Sequence, residues 1–164
     1  MDKKNTSALI CGSFDPITKG HLDIIKRASF EFGHVYLTAF INPEKKYLFS
    51  TDERLSFMKM ATAELQNVVC DYNTGMVYEY VIEKDIDCIV KGVRNEGDLS
   101  YEREMARFNF EHSGRETIFY YADESLTDCS SSAVREALKN GTSLAHLLPE
   151  SIAEEVKRAY ESKR

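Results

Sequence analysis

Short apolar runs alternate with segments of helical periodicity along the whole chain. Ser7 to Cys11 is a brief apolar run ending at Gly12, which predicts a strand buried on both faces. From His21 to Phe32 the apolar residues Leu22, Ile25, Ala28 and Phe32 recur at helical spacing, with Gly33 placed to close the helix as its C′ residue. Val35 to Ile41 reads as a second strand. Ser50-Thr51-Asp52-Glu53 has the form of a capping box, opening a helix that carries Leu55, Met58, Ala61 and Leu65 on one face. Val68–Cys70 is a third strand, 76–84 a helix, Ile86–Lys91 a fourth strand, 98–112 a helix and Thr117–Tyr121 a fifth strand. A helix over Ser131–Lys139 stops at Asn140-Gly141. Pro149 suits the first position of a last helix, at about 149–162, striped with Ile152, Val156, Ala159 and Tyr160.

Five strands spaced by helices predict an α/β fold: a Rossmann-like, five-stranded parallel sheet with right-handed crossovers and helices on both faces. Such a sheet binds its ligand beyond the carboxyl ends of the strands, at the switch point of the strand order. No linker or repeat divides the chain, so residues 1–164 are expected to form one domain. The last helix is polar on most of its circumference, as an appendage or an interface element would be.

Composition narrows the class. The 164 residues are 43% apolar and 29% charged, which excludes a disordered chain and a collagen-like repeat. The net charge is −6, from 21 Lys and Arg against 27 Asp and Glu. An acidic domain is a poor candidate for sequence-independent nucleic-acid binding or for attachment to anionic lipid. The polar start Met1–Asn5 and the short run Ala8–Cys11 are too slight for a secretion signal or a membrane span. The four cysteines lack any pairing rhythm and read as reduced, buried thiols of a cytoplasmic protein, not as metal ligands.

Chemistry concentrates after the strands. Gly12-Ser13-Phe14-Asp15-Pro16-Ile17-Thr18-Lys19-Gly20-His21 leads from the first strand into the first helix. Its hydroxyls and free amides at a helix start suit an anion, and His21 in the first turn shares that place. Taken alone, the string also fits a turn with Thr18 as N-cap and His21 at the surface. Ser130-Ser131-Ser132 opens the fifth helix, with Arg135 one turn on; alone, this reads equally as an ordinary serine cap and an exposed arginine. Asn42-Pro43-Glu44-Lys45-Lys46 follows the second strand and Lys91-Gly92-Val93-Arg94 the fourth. Asp98-Leu99-Ser100-Tyr101-Glu102 opens the next helix.

Thr18-Lys19-Gly20-His21 matches the T/H-x-G-H signature of the nucleotidylyltransferase superfamily, and 129–135 matches its I-S-S-T/S-x-x-R, with Cys129 in place of isoleucine. The longer G-S-F-D-P-I-T-K-G-H closely resembles the bacterial phosphopantetheine adenylyltransferases. N-P-x-K-K, K-G-V-R and D-x-x-Y-E extend that resemblance over nearly the whole chain, whereas nicotinate mononucleotide adenylyltransferases and small cytidylyltransferases share only the two signatures. The resemblance implies the nucleotidylyltransferase fold and adenylyl transfer from ATP to 4′-phosphopantetheine, yielding dephospho-CoA and pyrophosphate, with Mg²⁺ arriving on ATP. It further implies a homohexamer, with coenzyme A as a feedback inhibitor.

By the same resemblance His21, Lys46 and Arg94 are catalytic. Ser13, Phe14, Gly92, Val93, Glu102 and Leu126, Thr127, Asp128, Cys129, Ser130, Ser131 and Ser132 join His21 and Arg94 at ATP. Ser13, Lys46, Val77 and Lys91 hold the phosphopantetheine. Read without the resemblance, Lys45-Lys46 fits a solvated loop, Glu102 a solvated helical carboxylate, and Val77 with Met76 helix-core packing. Lys91 stands where the family usually has arginine, keeping the charge without the bidentate fork. Gly92 is expected to let backbone approach a ligand closely. A nucleotide-binding module without catalysis is the competing reading from another class.

Overall fold

The computed structural model describes residues 2–164; Met1, which opens the polar N-terminal stretch, lies outside the described residues. The elements run β1 (Ser7–Gly12), α1 (Lys19–Glu31), β2 (His34–Phe40), α2 (Thr51–Ala61), β3 (Val68–Asn73), α3 (Val77–Glu83), β4 (Cys88–Val93), α4 (Glu96–Ser113), β5 (Thr117–Tyr121), α5 (Ser131–Asn140) and α6 (Glu150–Glu161). The five strands form one all-parallel sheet in the order β3-β2-β1-β4-β5. The order reverses between β1 and β4, where Ile10 pairs with Val90. A crevice therefore opens there, beyond Gly12 and Val93.

Both sheet faces are covered, which is why the strands read as continuous apolar runs. Successive side chains alternate between faces. Ala8 and Ile10 join one buried cluster with Val35, Leu37 and Val90, capped by Ile24, Ile25, Phe57, Met58, Val134, Ile152 and Val156 of α1, α2, α5 and α6. Leu9, Cys11 and Ile89 point the other way, onto Tyr80 and Val81 of α3, and α4 packs beside α3.

Several element ends differ from the periodicity. The α1 helix ends at Glu31 with Phe32 as an extended C-cap, so Gly33 is not the left-handed C′ residue expected of it. A Cβ at Gly33 would collide with the Lys4 carbonyl oxygen, and close approach of the N-terminal turn is what demands glycine. The buried face of α2 is Arg54, Phe57 and Met58; Leu55 and Ala61 are only partly covered, and Leu65, expected on the same face, lies beyond the helix end. An arginine thus occupies the centre of an apolar stripe. Pro149 is the N-cap of α6, one position earlier than expected. That helix is no loose appendage: Ile152 and Val156 are fully buried, it packs on α2, and Lys163 reaches Glu53 at 2.6 Å.

Candidate active site

At the switch point lies a cleft of about 370 Å³, lined by the ends of β1 and β4, the turn into α1, the start of α4 and the start of α5. His21 stands at its centre because Thr18 caps α1 reciprocally. The His21 amide donates to Thr18 Oγ1 (3.2 Å), and the Thr18 amide donates to His21 Nδ1 (3.0 Å). With Nδ1 accepting, the neutral ring carries its proton on Nε2. Burial first, then the Arg94 and Lys91 charges, pull the His21 pKa down to about 4. At neutral pH the site thus offers an uncharged N–H donor held in a fixed direction. Phe14 packs edge-on against the ring at 5.0 Å. Phe14 itself adopts φ +47°, an uncommon backbone for a bulky residue and one associated with functional turns.

Two cations enter from β4. Lys91 Nζ donates to the Cys11 carbonyl (3.3 Å) and pairs with Glu102 at 3.6 Å. Its pKa is held above the ordinary lysine value, first by Cys11 and then by Glu102, against burial. Arg94 Nε and its own amide both donate to Asp98, at 3.1 and 3.2 Å. Glu102 is therefore no solvated carboxylate but the partner of Lys91, and Asp98 plays the corresponding part for Arg94.

The third cation is Lys45, not Lys46. Both lysines are exposed, but Lys45 lines the cleft and donates to Ser13 Oγ at 3.2 Å, whereas Lys46 lies outside the lining. Sequence alone does not resolve which of two adjacent lysines a loop turns inward.

The second signature is strapped onto the first. Ser131 Oγ donates to the Pro16 carbonyl (2.7 Å), and Arg135 donates to the Asp15 carbonyl (2.8 Å) and to Ser132 Oγ (3.0 Å). Arg135, readable as an ordinary exposed arginine, lines the cleft. Ser130 caps α5 through the Ala133 amide, leaving the Ser131 and Ser132 amides without a protein acceptor among the described residues. Phosphate oxygens suit such amides. At α1 the opposite holds: the Lys19 amide is taken by the Leu147 carbonyl, Gly20 by Cys129 Sγ, and His21 by Thr18. The expectation of free amides at that helix start is not met.

Ser13, Phe14, His21, Lys91, Gly92, Arg94, Glu102, Leu126, Cys129, Ser130, Ser131 and Ser132 come together in the lining. Lys46, Val77, Val93, Thr127 and Asp128 do not. Val93 is fully buried, and Val77 packs on the cluster around Tyr80 and Leu9, the core role its periodicity also allowed. Gly92 has a packing reason: a Cβ there would lie 2.9 Å from Ile24 Cγ1, so glycine lets α1 sit tightly on β4.

Residues 9–137 match the family described as cytidylyltransferase-like. The chain is 39% identical to a phosphopantetheine adenylyltransferase of Clostridium novyi, over 91% of this chain and 93% of the relative. It is 42% identical to one of Streptomyces coelicolor, over 90% and 92%. With a parallel sheet whose switch-point cleft gathers both signatures, the chain belongs to the cytidylyltransferase-like family and, within it, to the phosphopantetheine adenylyltransferases.

Proposed function

We propose that this chain transfers the adenylyl group of ATP to 4′-phosphopantetheine, giving dephospho-CoA and pyrophosphate. One observation carries the reading: His21 Nε2, Lys45, Lys91, Arg94 and the open α5 amides meet in a single cleft. Such a set of cations and donors suits two phosphates side by side, as one phosphate attacking another requires. An oxygen of the acceptor phosphate attacks the α-phosphorus of ATP, forming the new P–O bond. The bond from that phosphorus to the bridging oxygen breaks, and its electrons leave on pyrophosphate. The attacking phosphate is already ionised, so no general base is needed. Catalysis is positioning and charge stabilisation. Ser13, Lys45 and Lys91 orient the acceptor. His21 donates from Nε2 to the phosphate oxygens as charge moves to the leaving group, with Arg94 and the Ser131 and Ser132 amides on the triphosphate.

Mg²⁺ fits as a companion of ATP. Asp98 and Glu102 are the carboxylates of the lining, each committed to a cation, and no group of three His, Cys, Asp or Glu able to hold a metal occurs among the described residues. When bound, the ion supplies charge neutralisation on the phosphates.

The same reading takes residues 1–164 as one catalytic domain working in the cytoplasm. Its four cysteines are free thiols, as a reducing compartment keeps them, and no helix is long and apolar enough to cross a membrane among the described residues. A homo-oligomer, the hexamer by resemblance, belongs to the same reading. Coenzyme A, built from the product's own parts, is expected to compete for the cleft.

The test is pyrophosphate release from Mg-ATP with phosphopantetheine, nicotinate mononucleotide or glycerol phosphate as acceptor. Release with phosphopantetheine alone is expected. Release only with another acceptor overturns the substrate, and none with any acceptor favours a binding module.

A further inference from the structure

We propose that Arg54 is a positioning residue for the acceptor phosphate: a buried positive charge behind Ser13 whose counter-ion is the substrate itself. This rests on the phosphate-acceptor reading above. Arg54 is 1% exposed, on the face of α2 that meets the core. Its Nη1 donates to the Ser13 carbonyl at 2.9 Å, and its guanidinium stacks 3.9 Å from the centre of the Tyr47 ring. Nη2 has a long contact to Thr51 Oγ1 at 3.4 Å, and Nε is buried with no hydrogen-bond partner.

A buried guanidinium ordinarily carries a carboxylate partner, because desolvating an unpaired charge costs several kcal/mol. Among the described residues Arg54 has none. Glu53, its neighbour in the chain, is committed to Lys163 and to the Ser50 cap. Asp15, buried in the same turn as Ser13, accepts the Leu48 and Phe49 amides and faces Arg135 at 3.9 Å. The uncompensated charge therefore lies directly beneath the residue that Lys45 approaches from above.

Arg54 also joins the two loops that frame this place. Through the Ser13 carbonyl it fixes the turn into α1. Through Tyr47, whose hydroxyl accepts the Asn42 amide at 2.8 Å, it fixes the lysine loop. A doubly charged phosphate between Ser13 and Lys45 completes the electrostatics that the empty fold leaves open. The negative net charge of the chain conceals this, since the cation is invisible at the surface.

The experiment compares Arg54→Met and Arg54→Lys in the full chain. Methionine removes the desolvation cost of the buried charge together with its bond to the Ser13 carbonyl and its stacking on Tyr47, so the effects on stability oppose one another. The ligand-free melting temperature of Arg54→Met is thus expected to stay within about 4 °C of the parent's. Its KM for phosphopantetheine rises about tenfold or more, with the KM for ATP within twofold. Arg54→Lys keeps the charge and holds the acceptor KM within about threefold. Inorganic phosphate raises the melting temperature of the parent and of Arg54→Lys but not of Arg54→Met. That arm needs no turnover, so it stands even if the acceptor proves to be another phosphate compound. The proposal is overturned if Arg54→Met fails to fold or melts well below that window, more than about 4 °C under the parent, since the charge would then serve the fold. It is equally overturned by an unchanged acceptor KM, by equal rises in both Michaelis constants, or by loss of acceptor binding in Arg54→Lys.

Discussion

Helices α1 and α5 begin alike and do different work. Each is capped by a hydroxyl residue, Thr18 or Ser130, each opens a signature segment, and both face the same cleft. Yet the first three amides of α1 are spent on Leu147, Cys129 and Thr18, while α5 keeps the Ser131 and Ser132 amides open. What α1 presents instead is a side chain, the His21 ring with its proton fixed on Nε2. One helix start leaves amides open to an anion, the other mounts a donor. Identical local chemistry acquires a role only from what the rest of the chain leaves unsatisfied.

That contrast breaks most visibly at His21. His21→Ala is expected to lower kcat about a thousandfold with little change in the KM for ATP, because the donor acts on charge that develops in the transition state. Steady-state kinetics in both substrates measure it, and near-normal turnover would reduce α1 to scaffolding. Next in size is the lysine pair. Lys45→Ala should lower kcat/KM for phosphopantetheine about a hundredfold, while Lys46→Ala stays within threefold; the reverse ranking would show that the loop turns over on binding substrate.

Proline tests the two helix starts directly, since it removes an amide yet suits the first helical position. Ser130 and Thr18 both have the extended backbone that must precede it. Ser131→Pro is expected to raise the KM for ATP about tenfold, with Ser131→Ala as the control for its hydroxyl. Lys19→Pro instead deletes the bond to Leu147 and lowers the melting temperature. Equal effects at the two sites would erase the distinction.

A further effect is that of pH. His21 is held neutral in the fold, at about 4 against 6.5 unfolded, so the unfolded chain binds the extra proton first on acidification. The histidine's contribution to stability is whole above pH 6.5 and declines as pH falls towards 4. His21→Gln should flatten that part of the profile in chemical denaturation. An NMR titration of the ring with a midpoint near 6.5 would contradict the burial that holds it neutral.

Much was legible in the residues themselves. Parallel strands carry continuous apolar runs, a capping box announces itself at Ser50 and Glu53, and a glycine at position 141 ends α5 with φ +68°. Both signatures could be located because helix starts have local grammar. Arg54 is legible too, as a charge at the buried phase of an apolar stripe, but the periodicity of Leu55, Met58, Ala61 and Leu65 points just past it. Lys45 against Lys46 was not legible, because loop orientation has no periodicity to read.

Sequence alone determined the sheet, the helices, the family resemblance and which loops carry cations, since these follow from local pattern and residue chemistry. Tertiary structure decided which lysine turns inward, which helix keeps its amides open, and that α6 completes the core. It also decided that Gly92 serves the packing of α1. All four depend on which groups meet across distant parts of the chain, and hydrogen-bond satisfaction and close packing are properties of those meetings, not of any segment.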